Sequence, residues 1–440
     1  MINRRKSPLA KSCVELHQCL VKVGFSVPRE RLLSPDVEIS RTSERGRPRS
    51  RHSALRVTVV VAAICAPLLW LRTKDGLGRL PSDPGYDYFI AARQRGWQSI
   101  WSPDPFPQVI SRFVAWCAAQ FSLPQHALIA GILTNAFWVA SAIAVGYVVL
   151  RQWNSVLLAV SAGTLLILSP VAQESALLNH GNLKWPLLSV AIVALSCPTF
   201  IRSYAGPTAG LLVVTGLSQP VIFVAAIPVL ITVLFDRNRS LRAAVISLSA
   251  LVVGVAYQVV VTGLDRSTTG HGASRILHPW PGMGVFWWFG LMGPLVVSLA
   301  AIALSLRGTV AGDEAHISIF TLATSSIALS VSTYLLGGIA DRYFVAPMFL
   351  SSLGAMFVMW NMWTSGNKWL QAIVLLGIIA MMLPSLHWFS ASSWLTSGPL
   401  WSDEAERALE FCSSGDRGAA ELGVTPTGTT EVPCAVIRSD

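Results

Sequence analysis

The sequence predicts an all-α protein: a polytopic transmembrane helix bundle of about ten spans, with one broken, re-entrant hairpin and an interfacial helix in its first external loop. Three observations carry this expectation. Apolar residues make up 52% of the 440 residues and charged residues only 13%, whereas a soluble domain is nearer a quarter charged. Between Leu55 and His387 the apolar residues fall in long runs separated by short polar clusters, and runs of about 18 to 25 match a hydrocarbon core. The ten-residue alternation of an outer-membrane barrel is absent from the sequence.

Residues 1–54 read as a disordered, basic cytoplasmic tail, rich in Pro, Ser and Arg. Residues 1–52 hold 12 Lys and Arg against five acids, most of the net charge of +10. A basic segment ahead of the first span is a topology signal, so this charge does not indicate nucleic acid. The first apolar run starts too late for a standard cleavable signal peptide.

Residues 55–387 form the expected transmembrane domain. Its first span is 55–71, followed by an external loop over 73–126. Within that loop Val109, Ile110, Phe113, Val114, Trp116, Cys117 and Phe121 recur at helical spacing, which predicts a helix lying in the membrane interface. Further spans are expected over 127–150, 155–172, 183–197, 242–262, 284–306, 316–337, 343–363 and 369–387. The apolar stretch 209–235 is interrupted at Ser218-Gln219-Pro220 and again at Pro228. It is either one long kinked helix or two half-helices meeting in a buried re-entrant turn.

Charge decides between these. With the N-terminus cytoplasmic, a hairpin keeps Arg237, Arg239 and Arg242 inside, and a single span would put them outside. The cytoplasmic N-terminus already places Arg151 and Arg202 inside, and the hairpin then places Arg307 and Lys368 inside as well. It leaves residues 388–440 as a short extracytoplasmic tail with a small helix over Asp403–Cys412. Of the seven cysteines, Cys65, Cys117 and Cys197 read as packing residues in or beside apolar runs. Cys412 and Cys434 are able to pair if the tail is extracytoplasmic.

In this topology the unusual polar residues gather outside, and ionisable groups near a membrane usually mark sites. Asp83 and Asp87 flank a Pro-Gly turn. Either is suited to act as a general base or to ligate a divalent cation such as magnesium or manganese, and both equally suit capping of the next helix. Asn179, His180 and Lys184 enter a span together, able to meet a sugar or phosphate or simply to anchor the helix with Trp185. Arg342 is suited to a phosphate, or to an ion pair with Asp341. His271 and His278 flank Arg275 in a Gly-rich external loop. No Walker A motif, dinucleotide fingerprint, zinc-protease motif or nucleophile elbow occurs.

Four segments together resemble the GT-C superfamily of polytopic glycosyltransferases, in a bacterial branch: Asp83 to Asp87 with the amphipathic segment around Arg112; Asn179–Trp185; the broken Ser218-Gln219-Pro220 helix with Pro228; and Asp341–Phe344. The resemblance covers roughly residues 75–400. It implies a polyprenyl-phosphate-linked sugar donor, transfer to a cell-envelope glycan or lipid acceptor on the external face, and Asp87 or Asp83 as base or metal ligand. Arg342 would contact the lipid phosphate. The expected home is the plasma (inner) membrane, with membrane lipids around the bundle and no nucleic acid partner. The adjacent paired acids common in the superfamily are absent here. Two rivals remain: a membrane transporter or lipid flippase, with polar residues at mid-depth, and a non-catalytic assembly subunit.

Overall fold

The computed structural model describes residues 51–81, 85–102, 107–169, 176–235, 237–266, 285–306, 313–332, 341–364, 369, 372, 396–415, 418–425 and 428–438. The chain divides after Arg51, and the architecture below is that of His52–Asp440. The basic tail over 1–50 and nearly all of the span expected over 369–387 lie outside the described residues.

The chain is mostly helical, as its composition requires. Helix α1 (Arg51–Thr73) leads to α2 (Gly85–Arg95), a 3-10 turn (Gly96–Trp101) and α3 (Val109–Ala118). Then come α4 (His126–Trp153), α5 (Val156–Ile167), α6 (Lys184–Leu195), α7 (Pro198–Ser203) and α8 (Ala205–Gly216). A 3-10 segment (Pro220–Ala225) precedes α9 (Ala226–Phe235), and α10 (Arg237–Arg266), α11 (Val285–Leu304), α12 (Asp313–Ser332) and α13 (Val345–Thr364) follow. After α14 (Trp401–Ser413) the strands β1 (Ala419–Gly423) and β2 (Thr429–Pro433) form an antiparallel hairpin, and α15 (Cys434–Ile437) closes the chain.

Among the described residues, five helical stretches are long and apolar enough to cross a membrane: His52–Gly76, Leu123–Trp153, Leu241–Val261, Asp313–Ser332 and Val345–Thr364. Two of the expected spans are shorter. Helices α5 and α6 have 12 residues each, about 18 Å against a hydrocarbon core of about 30 Å. α6 stops because Cys197 precedes Pro198 at the first position of α7, and a residue before proline is driven out of the α region. Large apolar side chains stay exposed along the long helices, up to 81% at Val260. Such surfaces are untenable in water and natural against lipid. Of these five stretches, Asp313–Ser332 and Val345–Thr364 are the most enclosed and His52–Gly76 is the least.

Contacts define two ends of the bundle. Helix α4 runs from an upper end at His126 to a lower end at Trp153. At the upper end the buried Arg72 guanidinium, closing α1, donates to the carbonyls of Ile167 and Ser169 that close α5. Cations at helix C-termini meet exposed carbonyls and a favourable dipole. At the lower end Gln152 accepts from the Thr199 amide at 3.0 Å, Thr199 Oγ1 donates to Glu314 at 2.7 Å, and Arg202 pairs with Glu314. Trp153 lies 4.8 Å from Phe357 there, ring to ring.

These anchors settle the path of the broken stretch. Tyr204, before α8, bonds Tyr147 at 2.9 Å near the lower end. Ser218 reaches the upper end, where its Oγ accepts from the Ile110 amide at 3.3 Å. Phe235 returns to 6.3 Å from Phe320, two turns beyond Glu314. The chain therefore reverses at Leu217–Gln219, and Arg237 begins α10 on the same end as Arg202. Helices α8 and α10 touch backbone to backbone: a Cβ on Gly216 would lie 2.6 Å from Gly254 Cα.

The C-terminal residues differ most from expectation. The sequence predicts a helical, otherwise plain tail; the structure shows a small folded unit containing the only strands among the described residues. α14 packs on the hairpin, and the Gly423 amide donates to Glu404 at 2.8 Å. A Cβ on Gly423 would press Pro399 at 2.5 Å, so glycine is required there. Cys412 and Cys434 are disulfide-bonded.

Candidate functional site

The upper end gathers three loops around a buried polar cluster. Tyr88, in α2, is buried, with the Arg112 guanidinium over one part of its ring at 4.6 Å and the His180 ring 6.0 Å away. Arg112, buried in α3, donates to the Ser99 carbonyl at 3.1 Å. The loop before α6 is built around Asn179, whose side chain accepts from the Gly181 amide at 3.0 Å and caps the turn His180–Asn182. Leu178, just before it, adopts φ +61. That left-handed conformation is costly for a branched side chain, and here burial of the Leu178 side chain against Gly131 offsets it.

Gln108 joins the first loop to this second one. Its amide, oriented by its partners, donates to the Gly181 carbonyl at 2.6 Å and accepts from Lys184 Nζ at 2.9 Å. Lys184 also lies 5.7 Å from the Trp185 ring, and Trp185 meets Tyr343 edge-on at 5.5 Å. On the far side Gln258, an amide flanked by apolar residues in the later half of α10, donates to Gly216 O at 2.8 Å and to Pro107 O at 3.4 Å. Gln258 thus supplies the donor for the Gly216 carbonyl that closes α8, which lipid would leave unsatisfied, and ties that end of α8 to the first loop through Pro107 O.

His180 is fully buried, and neither ring nitrogen has a hydrogen-bond partner. Burial pushes its pKa down to about 4, so the ring is neutral at physiological pH. A neutral imidazole offers one donor and one acceptor.

Of the residues singled out from sequence, Asn179, His180 and Lys184 come together here. Asp87 is exposed in the first turn of α2, next to Tyr88, where a helix N-terminus favours a carboxylate. Asp341–Phe344 forms the 3-10 turn carrying Tyr343 against Trp185; the Arg342 backbone is in it, and its side chain lies outside the described residues. Asp83, His271, Arg275 and His278 also lie outside the described residues. Magnesium or manganese was expected at Asp83 and Asp87; among the described residues no three His, Cys, Asp or Glu converge to hold an ion. Sequence reasoning passed over Gln108, Tyr88, Tyr343 and Gln258. A lone amide in an apolar span was the available signal for Gln258.

The helix expected to lie in the interface is shorter than predicted, and its faces are sorted. Val109, Arg112, Val114, Ala115 and Ala118 turn into the protein, and Phe113 stays exposed with Phe121 beyond the helix. No protein-family model matches the chain, and no curated protein matches it.

Proposed function

We propose that the protein is an integral membrane glycosyltransferase that moves a sugar from a polyprenyl-phosphate donor to a cell-envelope glycan or lipid acceptor on the extracytoplasmic face of the plasma membrane. The observation that carries this reading is convergence. The four segments that suggested a GT-C enzyme are far apart in sequence, and described residues in or next to each of them meet at the upper end. Tyr88 faces His180, Gln108 bridges to Lys184, Ile110 bonds Ser218, and Trp185 packs on Tyr343.

The topology in this proposal has about ten spans, a cytoplasmic N-terminus and an extracytoplasmic C-terminus. Arg151, Arg202 and Arg237 share the lower end, which suits a cytoplasmic face. A disulfide in the unit packed on the upper end suits an oxidising compartment.

The chemistry asks little of the protein. A polyprenyl phosphate leaves readily, so positioning and one base suffice. Asp87, exposed beside the cluster, takes the proton of the acceptor hydroxyl as that oxygen bonds the sugar's anomeric carbon and the lipid phosphate departs. Lys184 and Arg342 are the cations suited to the departing phosphate, while Asn179 and the neutral His180, both fully enclosed, meet sugar hydroxyls once the loop before α6 shifts to admit the donor. His271 and Arg275, outside the described residues, are the further residues that this proposal assigns to substrate binding.

A transporter or flippase would concentrate strong hydrogen-bonding groups at mid-depth. Among the described residues the buried amides, guanidinium groups and imidazoles lie at one end, and several buried α12 hydroxyls, Ser318 and Thr321 among them, bond back to their own helix. The test is transfer from radiolabelled polyprenyl-phosphate sugars in membranes holding wild type, Asp87→Asn or Asp83→Asn at equal expression. Transfer lost in either variant supports the enzyme. No transfer by wild type from any common donor favours the transporter or a non-catalytic assembly subunit.

A further inference from the structure

The C-terminal unit does not hang from the bundle; it is built into the first loop. Its core is shared: Leu80, Phe89, Leu123 and Ala127 pack with Trp401, Ala405, Leu422, Val432 and Ile437. Trp401 is buried and bonded on two sides, its amide donating to Gly78 O at 2.8 Å and its indole Nε1 to Leu123 O at 2.8 Å. The Thr425 amide donates to Leu80 O at 3.0 Å, Pro81 and Thr425 form a parallel bridge, and Arg79 donates to Gly398 O. The contacts extend to α2. The Tyr86 hydroxyl donates to Glu431 O, and the Phe89 ring meets Trp401 at 5.1 Å and His126 at 4.7 Å.

Helix α2 is therefore gripped on two faces. Tyr86 and Phe89 face the C-terminal unit, and Tyr88 faces Arg112 and His180. A helix of 11 residues has too few turns to hold itself, so its place depends on these neighbours. The disulfide ties α14 to α15, the two helices that flank the hairpin. It is the one covalent link in a unit too small to build much core of its own.

We infer that residues 396–438 are a disulfide-locked clamp whose role is to hold α2, and with it Asp87 and Tyr88, in place at the upper end. The inference does not depend on the transferase reading, because its test reads the position of α2 and not a reaction.

The test is amide hydrogen exchange on full-length protein in nanodiscs, comparing wild type with the Cys412→Ser/Cys434→Ser double variant. The clamp predicts that amides of 85–95 exchange at least about tenfold faster in the double variant, with α12 and α13 unchanged. Faster exchange confined to 401–438 would overturn it, showing a unit that rests on the loop without holding it. Should the double variant lose the bundle as well, the decision passes to Tyr86→Phe and Trp401→Phe in disulfide-intact protein. Faster exchange over 85–95 in these variants supports the clamp, and wild-type exchange there overturns it.

Discussion

At His180 the packing and the proposed transfer make different demands on one imidazole. It is buried without a hydrogen bond, so an apolar ring leaves no polar partner unmet, and the cost of the bulkier phenyl ring is that of overpacking. His180→Phe is expected to stay folded near pH 7.5, within about 1 to 3 kcal/mol of wild type, while abolishing transfer, with melting temperature read beside transfer. The pH dependence follows from the same burial. The folded pKa is pushed down to about 4, below the unfolded value near 6.5, so the unfolded chain binds the proton more tightly. Stability is full above pH 6.5 and falls as pH drops towards 4, by about 3 kcal/mol. Thermal melts across that window in detergent should show a drop in wild type that is smaller by this amount in His180→Phe. The polar character of this loop was legible in sequence as Asn179, His180 and Lys184. Its link through Gln108 was not, because an amide four residues before Arg112 carries no spacing signal for a partner 73 positions away at Gly181.

At the scale of elements, the broken helix was readable and its support was not. Pro220 and the Ser218-Gln219 pair mark the interruption, and the three arginines after it favour a reversal. The Gly216–Gly254 contact depends on register between two helices, which composition does not encode. Gly216→Ala should destabilise by about 1 to 3 kcal/mol, since the atoms in the way are backbone and cannot swing aside; a melting curve in nanodiscs measures it. Gln258→Leu removes the donor that meets Gly216 O and Pro107 O, and is expected to cost about 1 to 3 kcal/mol by leaving those groups unpaired. The C-terminal hairpin was missed because its strands are short and mixed, with two glutamates opposite each other at Glu421 and Glu431. Their pairing depends on a core supplied by Leu80, Phe89 and Leu123, more than 290 residues earlier. The disulfide closing this unit is expected to contribute about 3 kcal/mol, measurable as protease resistance of 396–438 with and without it.

For the whole molecule, the two ends differ in chemistry, and that difference is the basis for an orientation. The upper end carries the polar cluster and the disulfide-bonded unit; the lower end carries Arg151, Arg202 and Glu314. Helix α13 starts just after Tyr343 at the upper end and reaches the level of Trp153 at the lower end, and Gly398 is again at the upper end. Single cysteines at two exposed positions test the orientation: Glu406→Cys should react with a membrane-impermeant maleimide in intact cells, and Ser203→Cys only after permeabilisation. The opposite pattern would invert the topology. The membrane class was legible from composition alone. The count of spans was less so, because helices such as α5 and α6 are too short for their apolar runs to be told from buried core by length.

The central claim is transfer at the upper end, and purified protein in nanodiscs tests it most directly. Supplied with a polyprenyl-phosphate sugar and an acceptor, wild type should release polyprenyl phosphate one for one with glycosylated acceptor. Asp87→Asn should slow this by roughly 10²- to 10⁴-fold, the contribution of a general base, in protein that still melts as a folded species. Release by wild type that Asp87→Asn leaves at full rate would contradict Asp87 as the base, and no release from any donor would contradict the enzyme itself.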